Sequence, residues 1–359
     1  MSMKKSLLIM TAILGILAVS CNKTDTLKTN LSLKQSISTG VTAVNNAVGI
    51  ISSSQGYQIL SANSSSLKSA ETYTDSVTLT SIAGIYEFQP DPYHFLDFFI
   101  PHRLFVKTGT SDYLIVNMPQ KLAFHPRFLH ELYAPDSLLK KDFTIKATDY
   151  YYYLDYASEF DYRLVAGFTL DTVNIGNMVI NAKATQAEQD YSSTYNFPAG
   201  YSLSVSSTSN DTTVTTFSLS KETTVLIKET VIATKPVPGM GMGPGQEFRH
   251  RERLYILTIG NVEIRRGAGL DSIQVYVDGV LQKHAGARIV DSTGTDGSIC
   301  HKRDILLTFD DGTTENLSTL IDPAREALKT LVDALHSMNF AKNIVDYIAI
   351  GIDYNIHHH

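Results

Sequence analysis

Between Ser76 and about Val290 the chain is written in β-branched and aromatic residues, gathered into short runs that polar turn residues separate. This composition suits a pleated, half-buried surface and disfavours long helices, so it predicts a body made mainly of strands. The runs predict strands at 76–88, 103–107, 113–117, 142–156, 160–172, 176–185, 201–207, 212–219, 222–234, 253–266 and 272–282. Within 222–234, Thr224, Leu226, Lys228 and Thr230 fall on one face, and Val225, Ile227, Glu229 and Val231 on the other. Such imperfect alternation fits antiparallel strands with one solvated face. Asp278-Gly279 and Asp311-Gly312 read as type I′ hairpin turns.

Helical periodicity flanks this region. Leu33, Ile37, Val41, Val44, Val48 and Ile51 recur at three- and four-residue spacing, the apolar stripe of one helix. Gly40 and Ser52-Ser53-Ser54 weaken it in isolation and make it depend on tertiary contact. Near the other end, Asp322 reads as an N-cap with Pro323 at the first helical position. That helix runs to about Phe340 with Leu328, Leu331, Leu335 and Met338 as its stripe, and alternation over Ile344–Tyr354 predicts a closing strand. Pro119–Lys141 and Pro236–Gly245 interrupt the β pattern, the second as a loop joining two strands. The expected fold is mainly β with flanking helices (α+β). It is a long antiparallel, strongly curved sheet or half-open barrel, packed by an N-terminal and a C-terminal helix. Residues 31–359 form this body, with a point of division left open near 236–246.

The first 20 residues read differently. Lys4 and Lys5 form a positive region, Leu7–Val19 an apolar one, and Leu17-Ala18-Val19-Ser20 precede Cys21. The apolar segment is too short to cross a bilayer comfortably. It resembles the signal of bacterial lipoproteins, whose lipobox ends in a cysteine that is lipidated and becomes the mature N-terminus. Ala18 stands where that family more often has Leu. The resemblance implies a signal peptide at 1–20, lipidation at Cys21, a polar tether at 21–30, and permanent tethering, since bacterial lipoproteins of this type carry three acyl chains and stable attachment takes at least two. Asn22, rather than Asp, follows the cysteine, which under the enterobacterial sorting rule implies the outer membrane of the cell envelope. The competing readings are an ordinary secretory signal with an incidental cysteine and an N-terminal core helix. Helices over a half-open barrel also resemble the LolA-like lipoprotein-carrier folds, as an architecture only.

The net charge is −6, and loss of Lys4 and Lys5 with the signal makes it more acidic, which argues against nucleic acid as a partner. Beyond Cys21 no apolar run approaches the length of a membrane helix, so the lipid is the expected anchor. If Cys21 is acylated, Cys300 has no intramolecular partner, and stability must come from the core. Cys300 with His301 reads as structural, because strand neighbours point to opposite faces.

The functional readings are each set against a plain one. Tyr150-Tyr151-Tyr152-Tyr153 offers aromatic surface on both faces of a strand, as a ligand wall or as cross-strand packing. With Phe88, Phe95, Phe98, Phe99 and Phe105, Tyr150 and Tyr152 of the tyrosine run form the expected apolar ligand-binding wall. Arg249, Arg251 and Arg253 share a face if extended and form a candidate anion site, against the commoner reading of solvated edge charges. His94, His102, His125 and His130 match no metal-ligand spacing, Asp291–Gly297 and Asp310-Asp311-Gly312 read as turns, and Met240 and Met242 as loop, so neither a metal nor a cofactor is expected. No GxSxG elbow, Walker loop or dinucleotide fingerprint occurs, so no catalytic residue is assigned, although two carboxylates of a glycosidase need only spatial proximity. The expectation is a non-catalytic, lipid-anchored envelope protein that binds an apolar or amphipathic ligand or an envelope partner in the sheet's concavity. The alternatives are a structural or surface-interaction lipoprotein with a filled sheet interior, and an envelope hydrolase.

Overall fold

The computed structural model describes residues 32–62, 76–89, 104–120, 140–155, 159–234, 251–267, 273–283, 286–292 and 302–357. Residues Leu33–His359 form one compact unit. Its main sheet has 15 strands. From β4 (Leu114–Met118) each strand pairs antiparallel with the next in sequence: β5 (Phe143–Asp155), β6 (Glu159–Leu170), β7 (Val173–Thr185), β8 (Gln189–Phe197), β9 (Tyr201–Ser209), β10 (Thr212–Lys221), β11 (Thr224–Thr234), β12 (Arg251–Ile259), β13 (Val262–Gly267), β14 (Ile273–Val277) and β15 (Val280–Leu281). Beyond β4 lie β2 (Gly84–Phe88), parallel to β4, and then β3 (Phe105–Gly109), while the short β1 (Val77–Thr78) pairs with β5. The sheet is therefore mixed rather than wholly antiparallel, and it stays open, with β15 and β3 at its two ends. A second sheet holds β16 (Gly286–Ser292), β17 (Lys302–Thr308) and β18 (Thr314–Asn316). β11 and β12, on either side of 236–246, pair directly in the main sheet.

Tight turns make so long a meander possible. Asp278 (φ 49°) and Gly279 (φ 76°) both lie in the left-handed region and join β14 to β15, as the type I′ reading expects. Asp171 (φ 46°) and Thr172 (φ 73°) do the same between β6 and β7, although a β-branched residue is costly there. Asp311-Gly312 departs from expectation. Only Gly312 has positive φ, and Phe309 and Thr313 hydrogen-bond around a three-residue loop, a longer hairpin than type I′.

Five helices accompany the sheets among the described residues: α1 (Leu33–Ser53), α2 (Gln55–Ala62), α3 (Leu79–Ile82), α4 (Leu317–Met338) and α5 (Phe340–His357). All six apolar positions of the α1 stripe are buried, each worth about 1.5–3 kcal/mol in transfer free energy. α1 packs on α4 and on β11, β12 and β13, while α2 touches α4 and β7. Two glycines set these approaches. A Cβ at Gly40 would stand 2.6 Å from Ile259 Cγ2, and one at Gly56 2.2 Å from the Ile175 carbonyl oxygen, so only bare backbone fits.

The C-terminal expectation needs correction. Ile344–Tyr354 is not a closing strand but part of α5, where Phe340, Ala341, Ile344, Val345, Ile348 and Ala349 are buried. Both alternating series there were largely apolar, and such a segment fits a broadly buried helix as well as a strand. Asp322 is not the N-cap either: α4 begins at Leu317 and carries Pro323 internally. Its first turn is held by Asp304 of β17, whose carboxylate accepts from the Ser318 N–H (3.3 Å) and from the Ser318 hydroxyl. Leu328 and Leu331 of the expected stripe are buried. Of the expected strands, 76–88 is broken by α3, 253–266 by the turn at Gly260, and 272–282 by the turn at Asp278. β8, β16, β17 and β18 were not foreseen, because Ser, Asn, Gln and charged residues dilute their β signal.

Candidate functional site

Directly opposed residues of an antiparallel sheet share a face, so the pairing register sorts the side chains of β5–β11. One face carries Tyr150, Leu164, Ile180, Ser193 and Val205 in a cross-strand row. The first four are buried, with Tyr150 at 2% exposure. The other face carries Tyr151, Arg163, Asn181, Ser192, Ser206, Thr216 and Thr230 in one row. Beside it run Tyr153, Asp161, Lys183, Asp190 and Thr208 in a second row.

On that outer face Asp161, Arg163, Asn181, Lys183, Asp190, Ser192, Ser206 and Thr208 line an open groove of about 290 Å³, to which Tyr162, Ala182 and Tyr191 also contribute. Its formal charges balance, two carboxylates against two cations. Asn181 Nδ2 donates to Ser192 Oγ over 3.5 Å, and Arg163 lies 5.2 Å from the centre of the Tyr151 ring. Lys183 is 3.9 Å from Glu159. Beyond the groove, hydroxyls meet across strands in the pairs Thr194–Ser204 (3.0 Å) and Thr216–Thr230 (3.3 Å). The groove offers amide, hydroxyl, carboxylate and cationic groups at fixed strand spacing, with aromatic carbon at its edge.

The helix-covered face holds a different polar cluster. α5 places Lys342 and Asp346 one turn apart, over β5 and β6. The hydroxyls of Tyr150 (3.2 Å) and Tyr162 (3.0 Å) both donate to Asp346 Oδ1, and Lys342 Nζ donates to Oδ2. The two rings meet edge to face at 5.9 Å, and Lys342 Nζ sits 4.7 Å from the centre of the Tyr162 ring. Burial, then the charge of Asp346, pushes the Tyr162 phenol well above its ordinary value. The phenol stays a donor, unsuited to act as a base. This cluster clamps a helix to the sheet: every charge in it has a partner. Tyr195, whose phenol burial also raises, donates to Asn339 at the α4–α5 junction over 3.4 Å.

Of the residues expected to form a ligand wall, Tyr150 is sealed under α5, Phe88 and Phe105 are buried with their rings 5.6 Å apart, and Tyr152 is half-buried against Phe160 and Tyr162. Phe95, Phe98 and Phe99 lie outside the described residues, as do Cys21, Arg249, Cys300, His301, Met240, Met242, His94, His102, His125 and His130. Arg251 and Arg253 lie in β12, where the pairing with β11 goes from Leu254 to Glu252 and skips Arg253, so the alternation expected to align them is interrupted. Among the described residues, no group of His, Cys, Asp and Glu is placed to hold a metal, and no helix is long and apolar enough to cross a membrane. The outer groove was missed from sequence because β8 was missed; the Ser/Thr/Asn alternation of 189–209 was its available signal. Comparison with known protein families, with curated proteins and with solved structures gives no match.

Proposed function

We propose that the chain is a non-catalytic envelope lipoprotein, tethered through Cys21, whose outer sheet face binds a polar partner in the envelope. The observation that carries this reading is the contrast between the two faces of β5–β9. Helices fill one, where Tyr150 is 2% exposed, and the other is an accessible polar groove. A filled interior is what a surface-interaction lipoprotein requires, and it removes Tyr150 from the apolar ligand wall expected from sequence. Tethering by lipid leaves a body free to present one face to its surroundings.

The test has two arms. In a Gram-negative host, the full chain enters the membrane fraction and incorporates labelled palmitate, and Cys21→Ser abolishes both. The full-length protein, purified in detergent, co-sediments with delipidated envelope fragments. Ser206→Arg with Thr216→Arg on the outer face abolishes that binding, and Tyr150→Phe on the covered face does not. Sedimentation indifferent to the outer-face pair, or palmitate incorporation independent of Cys21, overturns the proposal.

A further inference from the structure

We infer that the outer groove is a binding site for a neutral saccharide chain, an inference that deepens the outer-face reading and rests on it. At about 290 Å³ the open groove falls just below the roughly 300–1,000 Å³ of small-molecule sites, room for one segment of an extended ligand. Its lining decides the chemistry.

Lys183 lies between Asp161 and Asp190 in the register and 3.9 Å from Glu159, so the three carboxylates outnumber Lys183 and Arg163 and leave no positive field to select an anion. What remains is hydrogen bonding of both senses. The Asn181 amide and the Ser192 and Ser206 hydroxyls donate and accept, carboxylates accept from ligand hydroxyls, and Arg163 donates in a planar fork. A neutral polyol is the ligand class whose every group both donates and accepts. Tyr151, opposed to Arg163, adds an aromatic edge for the C–H face of a sugar ring.

The geometry extends in one direction. Arg163, Asn181, Ser192, Ser206, Thr216 and Thr230 occupy consecutive strands, so polar groups recur about every 4.8 Å for roughly 24 Å across the sheet. A single metabolite would not use that length; a saccharide chain lying across the strands would.

The experiment is calorimetry on full-length, detergent-purified protein with neutral hexasaccharides: maltohexaose, cellohexaose, mannohexaose and chitohexaose. Polygalacturonate and phosphatidylglycerol vesicles are the charged comparisons. The expected result is saturable binding of at least one neutral hexasaccharide. Asn181→Ala and Asp190→Ala each weaken it tenfold or more, without shifting the melting temperature, because both side chains lie on the solvated face. Absence of saturable binding by every neutral hexasaccharide at millimolar concentration overturns the inference, as does binding untouched by both variants. Polygalacturonate bound in preference, and lost in Arg163→Ala, also overturns it in favour of an anionic polymer. If no hexasaccharide binds while envelope fragments still sediment through the outer face, the saccharide assignment falls and the outer-face reading stands. Loss of both removes both.

Discussion

The hydroxyl of Tyr162 donates to Asp346 Oδ1 over 3.0 Å, joining β6 to α5 across 184 positions of sequence. Tyr150 converges on the same oxygen, and Lys342 satisfies the other. A buried carboxylate without such partners would be strongly destabilising, whereas here both oxygens accept from donors.

Removing the acceptor is therefore the most damaging single change to this clamp. Asp346→Ala leaves two buried phenols and an ammonium without it and is expected to cost about 3 kcal/mol, whereas Tyr150→Phe costs about 1–2 kcal/mol. Urea midpoints at constant m check this. A midpoint for Asp346→Ala within error of the parent would mean that the cluster contributes nothing net.

Alkaline pH should release the same clamp. Burial raises the phenols of Tyr162, Tyr195, Tyr255 and Tyr347 in the folded chain above the ordinary value of 10.0. Their contribution is fully present below pH 10.0 and declines as pH rises toward the folded values, because above 10.0 the unfolded chain has shed protons that the native chain keeps. The tyrosines' contribution is thus constant below about pH 9, stability falls beyond pH 10, and Tyr162→Phe makes that fall shallower. Tyrosinate absorbance should show these phenols ionising only with unfolding; their titration in the folded protein near 10 would contradict the burial.

Helix approach gives a paired prediction. Gly56→Ala forces a methyl into the Ile175 carbonyl and should cost about 1–3 kcal/mol. Gly49→Ala, in the same pair of N-terminal helices but with nothing within 4 Å, should stabilise by about 0.5–1 kcal/mol. Thermal melts of the two variants moving in the same direction would refute the packing of α2 on β7.

The first turn of α4 depends on a residue outside the helix. Asp304→Ala removes the acceptor for the Ser318 N–H and hydroxyl and should destabilise by about 0.5–2 kcal/mol. Asp322→Ala, five residues past the helix start at Leu317 and exposed within the helix, should change stability by less than about 0.5 kcal/mol. The reverse ranking would restore the cap read from sequence.

Local pattern was enough for much of the body. The α1 stripe, the long strands through Phe143–Asp155, Glu159–Leu170 and Val173–Thr185, and the Asp278-Gly279 turn each depend on residues a few positions apart. β8 escaped because both its faces are polar toward one end, with Tyr191 40% exposed, and a half-buried polar strand carries little hydrophobic alternation. The candidate groove went with it, since a site made from cross-strand rows is invisible until strand neighbours are known.

By itself the amino-acid order determined most of the long strands, the Asp278-Gly279 turn and the N-terminal helix, because side-chain period and turn chemistry act over short stretches. Only the tertiary structure decided that Ile344–Tyr354 is helical, that Asp304 caps α4 and that Tyr150 faces Asp346 rather than a ligand. Those outcomes turn on burial and on partners more than ten residues away. An apolar segment takes the form that buries it best, and a buried hydroxyl takes its meaning from the acceptor that the fold brings to it.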